Sequence, residues 1–202
     1  MTVIIIAGFG GSGKTLFGSI LTLALYRNNY EIISNVKSLK IPHIDFNSDF
    51  INEMNRIKKL KTEDRHKEKR KLVFVDEIQN YIDSREASSN RNKAITQNIF
   101  QIRKMKMDLI ATLQDYSSMD IRLRRITEKI ILPKFNEDNY SLYYVVLNNQ
   151  WQFLYENTIF INPILFDLYD TYEDIEDEID LSKDKRYVNK MIKKKGYALQ
   201  DV

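Results

Sequence analysis

Apolar residues in this chain gather into short unbroken runs, separated by longer stretches where they recur at helical spacing. The runs fall at Thr2 to Ala7, Glu31 to Val36, Leu72 to Val75, Asp108 to Leu113 and Ile126 to Leu132. Runs this short, bounded by polar breaks, predict strands. Between them, Gly13 to Tyr26 predicts a helix, and Phe50, Ile51, Met54 and Ile57 form a weak helical stripe over Phe50 to Leu60. A further helix begins near Ile78, and Ala94 to Met105 is amphipathic through Ala94, Ile95, Ile99, Phe100 and Ile102. Strands alternating with helices imply an α/β fold with a mainly parallel sheet covered on both faces.

The connectors read from their turn residues. Asn28-Asn29 marks a turn, 37–50 is a connector holding Pro42, and Ser84 to Arg91 is a polar loop. Two apolar runs, Tyr140 to Leu147 and Trp151 to Tyr155, flank Asn148-Asn149 and predict a β-hairpin. From Pro163 onward the pattern predicts helix or irregular chain, with the last ten residues expected to be disordered. Residues 1–202 are read as one domain, with a core over 1–132 and a hairpin and tail over 133–202.

The first run carries the chemistry. Directly after it stands Gly8-Phe9-Gly10-Gly11-Ser12-Gly13-Lys14-Thr15, the phosphate-loop pattern G-x-x-x-x-G-K-[ST] between a strand and a helix. Its glycines let the backbone curl so that successive N–H groups face phosphate oxygens. The helix that begins there adds free N–H groups and the positive end of its dipole, down to Leu16. Lys14 then reaches the β- and γ-phosphates, and the Thr15 hydroxyl can ligate Mg²⁺. A glycine-rich turn can also join a strand to a helix for geometric reasons alone, but the Lys-Thr pair and the preceding strand make ATP with Mg²⁺ the expected ligands.

The third run ends in two acids, Leu72-Val73-Phe74-Val75-Asp76-Glu77. A buried strand that delivers carboxylates to its C-terminal edge places Asp76 to hold Mg²⁺ and Glu77 to act as the general base on an attacking water. Alone, the pair could simply cap the following helix; with a phosphate loop upstream it reads as the second half of an ATP-hydrolysing site.

Composition narrows the class without deciding it. There are no cysteines, so disulfides and thiolate metal sites are excluded. The two histidines, His43 and His66, form no ligand-spaced cluster. The net charge of +3 is too small to argue for a polyanion partner. A basic run, KKLKTEDRHKEKRK up to Lys71, and Lys193 to Lys195 stand against an acidic stretch over Asp170 to Asp180; the run is expected to be an exposed, solvated face. The apolar start is too short for a signal peptide, and Leu16 to Tyr26 is too short to span a bilayer, so no integral membrane segment and a cytoplasmic location are expected.

With these parts placed, the chain resembles the additional-strand, catalytic-glutamate P-loop ATPases. Within them it is most similar to the FtsK–HerA superfamily, which includes viral DNA-packaging ATPases and the zonula occludens toxin-like assembly ATPases of filamentous phages. The phosphate loop and the Asp76-Glu77 pair are common to the wider class. More telling is Arg103 at a helix end, followed by the strand Asp108 to Leu113 and a terminal Gln114. The resemblance covers about residues 1–132 of the chain, a core of ordinary domain length.

It implies an ATPase that translocates DNA, double- or single-stranded, as a homo-oligomeric ring, a pentamer or hexamer, that packages a viral or mobile-element genome with a possible capsid or portal partner. It implies that Gln114 senses the γ-phosphate and orients water, the alternative being a polar strand end facing solvent. Arg103 would be the trans arginine that stabilises charge in a neighbour's site. Arg122, Arg124 and Arg125 read better as a solvated or DNA-facing edge than as catalytic groups. An assembly or extrusion ATPase of a filamentous phage-like particle is the alternative function, and a nucleotide kinase is a more distant one because kinases do not need the Asp-Glu pair. A GTPase is disfavoured, since no Asn-Lys-x-Asp string occurs.

Overall fold

The computed structural model describes residues 2–65, 67–82 and 97–170. Eight strands form one sheet: β1 (Val3–Ala7), β2 (Glu31–Ser34), β3 (His43–Asp45), β4 (Lys71–Val75), β5 (Asp108–Leu113), β6 (Lys129–Asn136), β7 (Ser141–Asn148) and β8 (Phe153–Phe160). Their order across the sheet is β3-β2-β4-β5-β1-β6-β7-β8. From β3 to β6 every pairing is parallel, and β6-β7-β8 is an antiparallel meander. The strand carrying the phosphate loop therefore lies between β5, which Gln114 follows, and β6, which begins the meander.

Parallel strands buried on both faces read as continuous apolar runs, and β1, β4 and β5 do so because each face meets a separate half of the core. On one face Val3, Ile5, Val73, Val75, Leu109 and Ala111 pack with Phe50, Met54 and Ile57 of helix α2 (Phe50–Lys59). On the other, Ile6, Leu72, Phe74 and Ile110 pack with Leu16 and Phe17 of helix α1 (Lys14–Arg27). Gly18 marks where α1 comes closest to the sheet: a Cβ there would lie 2.5 Å from a ring carbon of Phe74.

Three features depart from the pattern reading. The connector 37–50 contains β3, three residues long, paired to β2 by Ile32 against His43. A strand this short is below the length at which periodicity can be read. Ile126 ends a six-residue helix (Ile121–Ile126) instead of opening the fifth strand, because Asp120 caps it by accepting the Arg122 N–H at 2.7 Å. That strand, β6, starts at Lys129 and runs on past its last β1 partner, Ile131, so that Pro133 removes no bond from the β1 ladder. The hairpin is accordingly two hairpins, with β7 paired along its whole length to β6.

The basic run is not a uniform exposed face. Lys71 opens β4 and is 3% exposed, bonded to Glu31 and within 3.0 Å of Glu53, while Arg56 ties Glu53 to Glu68. A buried ammonium requires such carboxylates, and a residue-by-residue charge count does not reveal that they converge from β2, α2 and the following loop. No described helix is long and apolar enough to cross a membrane. The expectations for 84–91, 94–96 and the last ten residues lie outside the described residues.

Candidate nucleotide site

The phosphate loop takes the shape its glycines allow. Gly11 and Gly13 have φ of +74° and +85°, in the left-handed region, and Gly13 immediately precedes α1. At Gly13 there is a second requirement, since a Cβ would lie 2.7 Å from Leu142 and 3.0 Å from Phe135. The Phe135 N–H donates to the Ser12 carbonyl at 3.1 Å, so the meander braces the loop from one side. Lys14 is buried and its Nζ donates to the Phe9 carbonyl at 2.7 Å, folding the side chain back over its own loop. The Ser12 hydroxyl is buried with no hydrogen-bond partner. An unpartnered buried donor beside backbone N–H groups fits an anionic oxygen, such as a phosphate.

On the other side of β1 the two acids separate. The Thr15 hydroxyl donates to Asp76 at 3.0 Å (Oδ1) and 3.1 Å (Oδ2), and the Thr112 hydroxyl also donates to Asp76. Burial pushes the Asp76 carboxyl above the usual carboxylate range; the Thr112 and Thr15 hydroxyls pull it down, the charge of Glu77 adds to the rise, and Lys14 opposes it. A buried carboxylate beside a hydroxyl is a hard-oxygen donor set of the kind Mg²⁺ prefers. Among the described residues no group of three or more His, Cys, Asp or Glu side chains could hold a metal ion. A cation here would therefore draw its remaining ligands from water and from the nucleotide itself, as Mg²⁺ does at phosphate sites.

Glu77 adopts φ of +51°, a conformation unusual for a residue with a side chain. Thr112 holds it there: its hydroxyl accepts the Glu77 N–H at 2.9 Å and its carbonyl accepts the Ile78 N–H at 3.0 Å. The Glu77 carboxylate turns toward Gln114, whose Nε2 donates to Oε1 at 3.0 Å. The loop, Lys14, Thr15, Asp76, Glu77 and Gln114 are thus brought to one edge of the sheet.

The arginines stand differently. The backbone of Arg103 lies in a short 3-10 turn (Ile102–Met105) ahead of β5. Arg122 pairs with Asp120 at 2.7 Å and stacks over Phe100, with 4.5 Å from guanidinium to ring centre. Arg122 and Arg125 are exposed and Arg124 is half-buried, all on the short helix that follows Gln114.

Residues that sequence patterns did not single out complete the site. Asn35, just after β2, clamps the Asp76 peptide from both ends, with Oδ1 accepting the N–H and Nδ2 donating to the carbonyl, each at 2.8 Å. Tyr81 joins this clamp to Asn47. Tyr169, beyond the meander, has its phenol pushed up to about 12 by burial and by the negative charge of Asp76. Thr112 was visible as a polar residue within an apolar strand; Asn35 carried no local signal, because its partner is distant in sequence.

Comparison with known proteins places the fold. Residues 4–134 match the model of the ATPase family associated with various cellular activities (AAA). The chain belongs to that family. No curated protein matches it. Among solved structures, the N-terminal domain of zonular occludens toxin from Neisseria meningitidis is similar at 20% identity and a TM-score of 0.56, over 84% of this chain and 98% of that one. The genome packaging NTPase B204 of Sulfolobus turreted icosahedral virus 2, in complex with ATP-gammaS, is similar at 13% identity and a TM-score of 0.54, over 79% and 98%. The pCW3 conjugation coupling protein TcpA, with ATPgS, is similar at 13% identity and 0.54, over 80% of this chain and 61% of that one. The P-loop ATPase fold expected from the phosphate loop is the fold of this ATPase, and the toxin-like and packaging proteins that the sequence resembled are among its structural neighbours.

Proposed function

We propose that this ATPase is a DNA-translocating motor that works as a homo-oligomeric ring and packages a viral or mobile-element genome. The observation that carries the hydrolytic half is the Glu77 carboxylate, held by Gln114 on the strand next to the phosphate loop. Lys14 would exchange the Phe9 carbonyl for the β- and γ-phosphates. Glu77 would take a proton from the attacking water at its carboxylate oxygen as the β–γ phosphoanhydride breaks, and the Gln114 amide would keep that carboxylate aimed and contact the phosphate. Thr15 and Asp76 would hold Mg²⁺, which supplies charge neutralisation on the phosphate oxygens when bound. Arg103 from a neighbouring subunit is the proposed source of the remaining positive charge.

The DNA half rests on the work of similar proteins, a packaging NTPase and a conjugation coupling protein. Arg122, Arg124 and Arg125 are the proposed backbone contacts, on a helix two short steps from Gln114. A capsid or portal partner and a host-cytoplasmic location belong to the same reading. The likeness to the toxin domain supports assembly or extrusion of a phage-like particle as the second reading.

The test is an ATPase assay with and without double- and single-stranded DNA. The motor reading expects DNA to raise the rate, with the gain falling as salt rises and depending little on base sequence. Absence of stimulation by any DNA would remove the motor and leave the hydrolase. Hydrolysis surviving in a folded Lys14→Ala protein would remove the site assignment itself. Mixing Arg103→Ala with Lys14→Ala subunits should restore activity if the arginine acts in trans.

A further inference from the structure

The phosphate loop sits on β1, whose two neighbours are β5 and β6. Asp76, Glu77 and Gln114 all come from the β5 side, so the γ-phosphate end of a nucleotide is committed to that side. The nucleoside end must then leave over β6 and the meander. There, an aromatic chain leads away from the loop. The backbone of Phe135 is bonded to Ser12, its ring lies 5.5 Å from that of Phe166, and Phe166 lies 5.9 Å from Tyr140.

The far end of this chain is unusual in two independent ways. Tyr140 is 48% exposed, and Ile164, which follows the end of β8 by four residues, is 71% exposed. Tyr140 also has φ of +50°, which a bulky side chain rarely adopts. Its carbonyl accepts the Ile161 N–H at 2.7 Å, which pins the turn that presents the ring. Backbone strain that displays an apolar ring to solvent gains nothing for the core, and such strain gathers at ligand sites.

We propose that Tyr140, backed by Phe166, forms the subsite for the base of the bound nucleotide, an inference that rests on the phosphate-loop reading above. The base stacks on the phenol, which Phe166 backs edge-on at 5.9 Å. Tyr140 and Phe166 are uncharged, and the side-chain oxygens of Asn139 and Asn162 already accept from the Ser141 and Ile164 N–H groups. Stacking holds any base by its face, so affinity here exceeds selectivity.

The test compares ATP with tripolyphosphate, each with Mg²⁺, by titration calorimetry. Tyr140→Asn keeps a residue that tolerates the left-handed turn and removes the ring, while Tyr140→Phe keeps the ring. Expected is a loss of about tenfold in ATP affinity for Tyr140→Asn, no change for tripolyphosphate, and near-normal ATP binding for Tyr140→Phe. Unchanged ATP affinity in Tyr140→Asn, with tripolyphosphate still bound, overturns the subsite and leaves the phosphate site standing. An equal loss of both ligands also overturns it, since the turn would then act through the loop. Failure of the unmodified protein to bind tripolyphosphate overturns the phosphate-loop reading together with the subsite.

Discussion

Gln114 and Glu77 meet across two neighbouring parallel strands, amide nitrogen to carboxylate oxygen at 3.0 Å. They are separated by 37 residues and lie at the same edge because β4 and β5 pair in register from Leu72 against Asp108. A donor held on the carboxylate fixes where it can accept a proton.

Removing that donor should therefore act on turnover more than on binding. Gln114→Ala is expected to lower kcat by roughly tenfold to a hundredfold, with the KM for ATP little changed. Glu77→Gln should bind ATP and stall. Steady-state kinetics paired with equilibrium nucleotide binding check both, and a matching fall in affinity would count against the assignment.

Thr112 serves both acids with one hydroxyl, donating to Asp76 and accepting from Glu77 N–H. Thr112→Val keeps the shape and strips both bonds. It should need more Mg²⁺ for half-maximal activity and lose about 1–3 kcal/mol of stability, because the Glu77 N–H loses its acceptor. Thr112→Ser should recover both. Magnesium titration and urea unfolding separate the two effects, and a valine variant with the normal magnesium requirement would show that Asp76 does not depend on this hydroxyl.

For Asp76 the proposed Mg²⁺ role and the stability of the fold pull in opposite directions. Its folded carboxyl titrates above the unfolded value of 3.8. Below that value both states are protonated and burial carries no charge penalty. As pH rises through the higher folded value, the buried charge counts against the fold. Asp76→Asn should thus raise the melting temperature of the nucleotide-free protein at pH 7, with the gain shrinking as pH falls toward 3.8. The same variant should lose the added stabilisation by Mg²⁺ and ATP. Melting curves across pH, with and without ligand, would refute this if the gain grew at low pH.

Gly18 tests packing against propensity. In a helix interior alanine is favoured over glycine by about 1 kcal/mol. Here the added carbon would fall 2.5 and 2.7 Å from two Phe74 ring carbons. Overpacking of this kind costs about 1–3 kcal/mol, so Gly18→Ala should destabilise the protein, and Phe74→Leu in the same chain should offset part of the loss. A Gly18→Ala protein that melts higher than the unmodified one would show that α1 can lift from the sheet.

Legible in the sequence were the glycine-rich loop of residues 8–15, the Asp76-Glu77 pair and the strand Asp108–Leu113 that precedes Gln114. Each is written in a few adjacent residues, because a curled backbone needs glycines in place and a buried parallel strand needs an unbroken apolar run. The burial of β1, β4 and β5 was legible for the same reason. The short strand β3 and the helix over Ile121–Ile126 were not, since three and six residues are too few for a period and are held by a ladder and a cap. Tertiary structure alone decided which side of the loop faces the meander and that Asn35 grips the Asp76 peptide. It also turned Lys71 from a member of a charged run into a buried ion-pair centre. These relationships join residues tens of positions apart, and only sheet order and register bring them within hydrogen-bonding distance.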